Sequence, residues 1–166
     1  MKLLLPFITA VALTAGAAVS FVWGQESTAR AGEVAVTSGW ARATPPGATV
    51  ASAYVEIRNE GSGPDRLIGV ESPSAGMAML HQSGEAGDVA QMRPASEGIL
   101  VPPGATVTMA PGGFHIMLMD IRAPLTRGET LPVTLRFETA GTLTLALPIE
   151  AVGSPGPKGQ AAHSGH

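Results

Sequence analysis

Histidine and methionine alternate in two short segments, and this alternation carries the clearest chemical meaning in the sequence. The alternating residues are Met77, Met79 and His81 in one segment and His115, Met117 and Met119 in the other. Successive side chains of an extended strand point to opposite faces, so each set would share one strand face. If the two strands pair or face each other, two imidazoles and up to four thioethers converge.

Such a cluster favours one kind of metal ion. Thioethers are soft, neutral ligands that select Cu(I) over Zn²⁺, Mg²⁺ or Ca²⁺, and imidazole suits copper in either oxidation state. Met92 is a further candidate ligand, because it ends a short predicted strand just before Arg93 and Pro94. The residues therefore indicate a Cu(I) site built without thiolate.

A second interpretation of the same residues needs no metal. Methionine commonly fills gaps in protein cores, and Met109 is assigned to the core on that ground. A single histidine at a strand end is more often a hydrogen-bonded structural residue than a ligand. The chain has only four histidines, however, and two separate segments that combine histidine with methionine favour the metal site.

Absent residue types exclude several classes of protein. The 166 residues include no cysteine, which rules out a blue-copper centre, thiolate zinc sites, C-x-x-C-H haem attachment and thioredoxin-like exchange. The formal net charge of -3 offers no basic surface for nucleic acid.

The first 31 residues have the layout of an export segment. Lys2 is followed by an apolar stretch without charge up to Glu26, which is typical of a signal peptide. Cleavage after Gly24 and cleavage after Ala31 both fit, and an uncleaved membrane anchor is the alternative. Each outcome places the folded part outside the cytoplasm, and we expect a periplasmic protein.

Short apolar blocks separated by turn residues predict an all-β domain over residues 32–152. Strands are predicted at 33–42, 50–59, 66–72, 77–81, 90–93, 99–101, 105–110, 115–121, 131–138 and 142–151. Proline and glycine between them, as in Pro45-Pro46-Gly47 and Pro111-Gly112-Gly113, favour tight turns. Strands of this number and spacing indicate an antiparallel, immunoglobulin-like β-sandwich with Greek-key connections.

The segment 153–166 differs in composition from the domain before it. It contains no apolar residue larger than alanine and is predicted to be a flexible tail. His163 and His166 lie in this tail, and a second hypothesis gives them a role as a Cu(II) site or as accessory ligands.

The spacing of the candidate ligands resembles that of a known family. His81, ten residues, Met92, and then His115-x-Met117 are similar to the H-x10-M…H-x-M signature of the PCu(A)C-type periplasmic copper chaperones. The resemblance spans roughly residues 40–151 and includes further matching stretches, which are Trp40 to Gly47, Ala53-Tyr54, Met92-Arg93-Pro94, Pro111 to Met119 and Leu135-Arg136-Phe137.

This resemblance implies a fold, a site and a set of partners. The implied fold is a cupredoxin-like β-sandwich, which binds one Cu(I) through His81, Met92, His115 and Met117. The implied partners are a copper-accepting subunit of cytochrome c oxidase and a Sco-type thiol protein. Many relatives carry an extra methionine after the first histidine, whereas the segment 82–91 has none.

The remaining methionines and the end of the second histidine strand need separate interpretation. Met77 and Met79, which precede His81, are candidate accessory ligands, as is Met119. Met119 could equally be a core residue or lie beneath the ligands. Ile116 and Leu118 are assigned to the core. His115 is expected at an exposed strand end, because glycines bring the chain out of a tight turn just before it.

The predicted function is ligand-exchange transfer of Cu(I), which needs no enzymatic activity. Copper storage or resistance, and an exported interaction sandwich without metal, are the alternatives. An enzyme is not expected, since no G-x-S-x-G elbow is present and neither Gln25 nor Gly32 would supply an N-terminal histidine for a copper oxygenase.

Overall fold

The computed structural model describes residues 28–86 and 89–156, which form eleven β-strands and no helix. The strands are β1 (Ala29–Ala31), β2 (Val34–Arg42), β3 (Val50–Asn59), β4 (Asp65–Glu71), β5 (Ala75–Ala86), β6 (Val89–Pro94), β7 (Ile99–Val101), β8 (Thr106–Thr108), β9 (Phe114–Ile121), β10 (Thr130–Phe137) and β11 (Thr142–Glu150). Within these ranges no helical span suited to crossing a membrane is found.

The strands are arranged in two sheets that share an apolar core. One has the order β6-β5-β9-β3-β2, with β1 added to β2 and β8 added to β3, and the other has the order β11-β10-β4-β7. A short parallel contact of β11 with β2, at Ile149 opposite Ala41, links the two, and every other pair is antiparallel. The prediction of an all-β sandwich is therefore confirmed, with one parallel pair that was not expected.

The core lies between the sheets because each strand turns its apolar residues to one face. On β9, Ile116 and Leu118 are fully buried, as predicted. Gly39 on β2 marks a close approach, since a Cβ placed there would lie 2.5 Å from Leu147 Cδ2 on β11 and 3.0 Å from Val55 Cγ1. A larger residue at this position would force the Leu147 side chain to move and would disturb the packing between the two sheets.

The proline and glycine turns form as the sequence predicts. Gly47 and Gly112 have φ values of 81° and 88°, in the left-handed region that glycine enters without a Cβ penalty. Ala48 N–H donates to the carbonyl of Pro45, and Gly113 N–H donates to that of Ala110, which closes the two turns. The second turn delivers the chain directly into β9.

Most strands lie within one or two residues of their predicted bounds, and two elements depart further from the prediction. β5 runs from 75 to 86 instead of from 77 to 81, because its second half pairs with β6 although it lacks apolar alternation. β1 lies inside the predicted export segment, where it pairs with β2, and Arg30 forms an ion pair with Glu60. Residues 1–27 of that segment and the tail from 157 onward lie outside the described residues, so their roles stay predictions.

Candidate metal centre

The two segments that combine histidine with methionine are neighbouring antiparallel strands in register. On β5 and β9, His81 lies opposite His115, Met79 opposite Met117 and Met77 opposite Met119. Directly opposite residues share a face of the sheet and have Cβ atoms about 5 Å apart. Since Ile116 and Leu118 occupy the core face, the three histidine and methionine pairs form three rows on the outer face.

Met92 reaches the same face from the edge of the sheet. It lies on β6 opposite Ser83 of β5, while Pro94 lies opposite His81, so Met92 is the diagonal neighbour of His81 across the two strands. Its side chain is 52% exposed. The structure thus brings the four predicted ligands to one end of one outer face, with Met92 on the solvent side.

His115 is held in one tautomer by the turn before it. Its Nδ1–H donates to the carbonyl of Gly113 at 3.1 Å, and this same carbonyl also accepts a hydrogen bond from Ser83 N–H at 3.0 Å. A carbonyl only accepts, so Nδ1 carries the proton and the lone pair is on Nε2. Metal-binding histidines commonly donate their second N–H in this way.

The exposed position expected for His115 is wrong. The residue is only 5% exposed, because its ring packs against His81 and hydrogen-bonds back onto the turn. The ring centroids of His81 and His115 are 5.8 Å apart with an interplanar angle of 77°. The turn formed by the glycines therefore covers the His115 imidazole and shields it from solvent.

His81 has buried ring nitrogens with no protein partner. Neither Nδ1 nor Nε2 accepts or donates a hydrogen bond, although buried polar atoms are paired in the great majority of native structures. Burial lowers the pKa of His81, and the nearby His115 lowers it further. The neutral imidazole, the form that binds metal ions, is therefore favoured.

The other candidate residues are placed as follows. Met77 is 51% exposed, and Met79 and Met119 are partly exposed on the outer face, so Met119 is not a core residue. Met109 is buried in the core, as predicted. His163 and His166 lie outside the described residues, and their predicted role in copper binding stays a prediction.

Sequence reasoning missed the carbonyl of Gly113, since the Pro-Gly-Gly pattern indicated only a turn. It also gave no role to a buried aromatic pair on the neighbouring strands β2 and β3. Trp40 and Tyr54 stack with centroids 4.5 Å apart, and the Arg42 guanidinium carbon lies 5.8 Å and 5.9 Å from the two ring centroids. Their only signal in the sequence was membership of the stretches that resemble the copper chaperones.

An all-β sandwich with paired histidines and methionines on one outer face defines a cupredoxin-like domain suited to a soft metal ion. The chain belongs to the LpqE-like family, whose model, described as "Putative lipoprotein LpqE-like", matches residues 34–149. It is 37% identical over 117 residues to "Putative lipoprotein Lxx21020" of Leifsonia xyli subsp. xyli. The matched region covers 70% of this chain and 69% of the relative.

Solved structures similar to this chain include PCuAC domains. The apo PCuAC domain from PmoF1 is 32% identical with a TM-score of 0.64, over 75% of this chain and 98% of that domain. The copper-bound PCuAC domain from PmoF2 is 34% identical with a TM-score of 0.63, over 75% and 97%. The Cu(I) form of DR1885 from Deinococcus radiodurans is 28% identical with a TM-score of 0.55, over 75% and 81%. The predicted PCu(A)C resemblance is thus confirmed, and the chain is homologous to copper-binding domains.

Proposed function

We propose that this chain is an exported copper chaperone that binds one Cu(I) through His81, Met92, His115 and Met117. The observation that carries the proposal is the buried, unpaired imidazole of His81, which lies opposite His115 on a face lined with thioethers. A soft monovalent ion would satisfy this nitrogen without requiring a charged ligand. The copper-bound PmoF2 domain and the Cu(I) form of DR1885 support copper as the ion.

The four ligands would contribute unequally to binding. His115 is oriented in advance by its hydrogen bond to Gly113, so little ordering is needed when the ion arrives. His81 is already neutral near pH 7, because burial lowers its pKa. The two imidazoles would therefore supply most of the affinity, and the thioethers would make the site selective for Cu(I).

Transfer would begin at Met92. This residue is half exposed on the edge strand β6, whereas His115 is buried and Met117 lies on a strand flanked on both sides. A ligand from an acceptor protein can displace the Met92 thioether first and then Met117, so that the ion is never without ligands. Such an exchange makes and breaks only metal–ligand bonds, and we expect no enzymatic activity.

The family resemblance indicates the acceptor, and the predicted export segment indicates the compartment. By that resemblance the acceptor is a copper-binding subunit of cytochrome c oxidase, with a Sco-type thiol protein acting beside it. From the predicted export segment we infer that the domain lies in the periplasm. Copper storage or resistance would use the same site without an acceptor, so transfer to an acceptor is the property that separates these functions.

Anaerobic titration with Cu(I) in competition with a chromophoric chelator tests the site. We expect one tightly bound equivalent, with strong weakening in His115→Ala and Met117→Leu. Met109→Leu is the matched control, because it makes the same change at a core methionine far from the outer face. Unchanged affinity in both His115→Ala and Met117→Leu would exclude the site and favour an interaction sandwich without metal.

A further inference from the structure

The outer face of β5 and β9 carries one row of methionines that the proposed site does not use. Met77 and Met119 lie directly opposite each other, and the row of Met79 and Met117 separates them from the histidine row. Rows two residues apart are roughly 7 Å apart along a strand. The Met77 and Met119 row therefore lies roughly 14 Å from the histidines, too far to contribute to the same ion.

These methionines do not fill gaps in the core. They are on the face opposite Ile116 and Leu118, and Met77 is 51% exposed. Met119 is flanked on its other side by Val50, which is itself 39% exposed. Met77 is exposed and Met119 is only partly buried, so core packing does not explain this pair of methionines.

The backbone places a carboxylate at the same end of the strand. Asp120, directly after Met119, has a φ of 53°, the only positive value of a non-glycine residue among the described residues. Its Oδ2 lies 3.5 Å from the point that a Cβ on Gly76 would occupy, and Gly76 precedes Met77. Because Gly76 and Met77 are successive residues of β5 and point to opposite faces, this carboxylate lies on the face opposite the paired methionines, and the thioethers alone would hold the ion.

We propose that Met77 and Met119, with Met79 as a third thioether, form a second Cu(I) site that passes its ion to the histidine pair. The site would be weaker than the first, because it has no imidazole. Met79 is the diagonal neighbour of Met119 and lies opposite Met117, so it can contact an ion in either row. Binding at this second site stands by itself, and only the transfer step depends on the proposed function.

Ag(I) is the probe for binding, since it is a soft monovalent ion that shares the ligand preference of Cu(I) and is not oxidised by air. The full chain would be labelled with ¹³C at the methionine methyl groups, and each signal assigned by a single Met→Leu variant. We expect the first equivalent of Ag(I) to move the signals of Met92 and Met117. The second should move those of Met77 and Met119, with Met109 unmoved throughout.

The double variant M77L/M119L is the matched test, because both changes nearly conserve volume. We expect it to bind the first equivalent of Ag(I) unchanged and to lose the second. Signals of Met77 and Met119 that stay fixed in the wild type as the second equivalent is added would overturn the second site. Fixed signals of Met92 and Met117 at the first equivalent would instead overturn the proposed function, so the two failures are distinguishable.

The transfer step has its own measurement. Stopped-flow loading of Cu(I) from a chelator should be slower in M77L/M119L than in the wild type, whereas the final affinity of the first site stays the same. M109L, with one core thioether removed, should load at the wild-type rate. Equal loading rates in M77L/M119L and the wild type would overturn the transfer step.

Discussion

Asp65 and His81 are both polar groups buried in the same small domain, but their surroundings differ completely. The Asp65 carboxylate, at the start of β4, accepts hydrogen bonds from the backbone N–H groups of Arg66 at 2.7 Å, Thr139 at 2.9 Å and Ala140 at 2.8 Å. It thereby ties β4 to the turn that follows β10. The ring nitrogens of His81 have no such partners.

The difference separates a residue whose carboxylate is paired within the fold from a residue for which we propose a bound ion as the missing partner. A carboxylate that accepts several backbone N–H groups stabilises the folded chain, since those donors would otherwise be unpaired. A buried imidazole without partners costs stability, and the proposed Cu(I) ion would supply the partner that His81 lacks. Mutations at the two kinds of position should therefore have opposite effects on the apo protein.

Asp65→Ala should have the largest effect. Removal of the carboxylate leaves backbone donors unpaired, and we expect the free energy of unfolding to fall by about 3 kcal/mol, measured by urea denaturation. Glu71→Ala is the control, because the Glu71 carboxylate is exposed and its ion pair with Arg136 is long, at 4.0 Å. A loss below about 1 kcal/mol in Asp65→Ala would contradict the structural role assigned to this group.

Asn59→Ala should come next. The side-chain amide, only 1% exposed, donates to the carbonyls of Gly63 and Val101 and accepts from Gly61 N–H. We expect a loss of about 2 kcal/mol by the same measurement, with no change in Cu(I) affinity. Thr37→Ala, which removes an exposed hydroxyl, should change stability by no more than about 0.5 kcal/mol. Equal free energies of unfolding in Asn59→Ala and Thr37→Ala would show that the hydrogen bonds of Asn59 do not stabilise the fold.

His81→Leu should have the opposite sign. It replaces an unpaired polar ring by an apolar side chain of similar size, so we expect the apo protein to gain about 1 kcal/mol while tight Cu(I) binding is lost. Thermal unfolding without metal and the chelator competition would measure the two effects. A destabilised apo variant would show that His81 has a structural role, and the contrast with Asp65 would fail.

The pH dependence of apo stability sharpens the same point. Because the pKa of His81 is lowered in the folded state from 6.5, the unfolded chain binds its proton first as the pH falls. The free energy of unfolding of the wild type should therefore decrease below about pH 6.5. The free energy of unfolding of His81→Leu, measured by urea denaturation in parallel, should decrease less over this range. Identical pH profiles of the two proteins would mean that the pKa of His81 is not lowered in the folded state.

Met92→Leu should have the smallest effect on the fold. The side chain is half exposed on an edge strand, so the free energy of unfolding should change by no more than about 0.5 kcal/mol. Cu(I) should nevertheless dissociate faster into an excess of chelator, because one thioether is missing. An unchanged dissociation rate would remove Met92 from the ligand set.

Strand alternation separated Ile116 and Leu118 from His115 and Met117 on β9, and the structure has the same division, with Ile116 and Leu118 in the core. The pairing of β5 with β9 could not be derived from it, because register between strands distant in sequence depends on the whole sheet. Asp65 shows the limit most clearly. In the stretch Gly63-Pro64-Asp65 it looks like an ordinary turn residue, and only the fold brings Thr139 and Ala140 to its carboxylate.

The place of β6 at the edge of the sheet has a kinetic consequence. This strand pairs with β5 alone among the described residues, and edge segments with few buried apolar contacts open locally at low free energy. Each such opening would carry Met92 away from the other three proposed ligands while the sandwich stays folded. The lifetime of the bound ion would then be governed by how often one hairpin frays, and hydrogen exchange along β6 would report it.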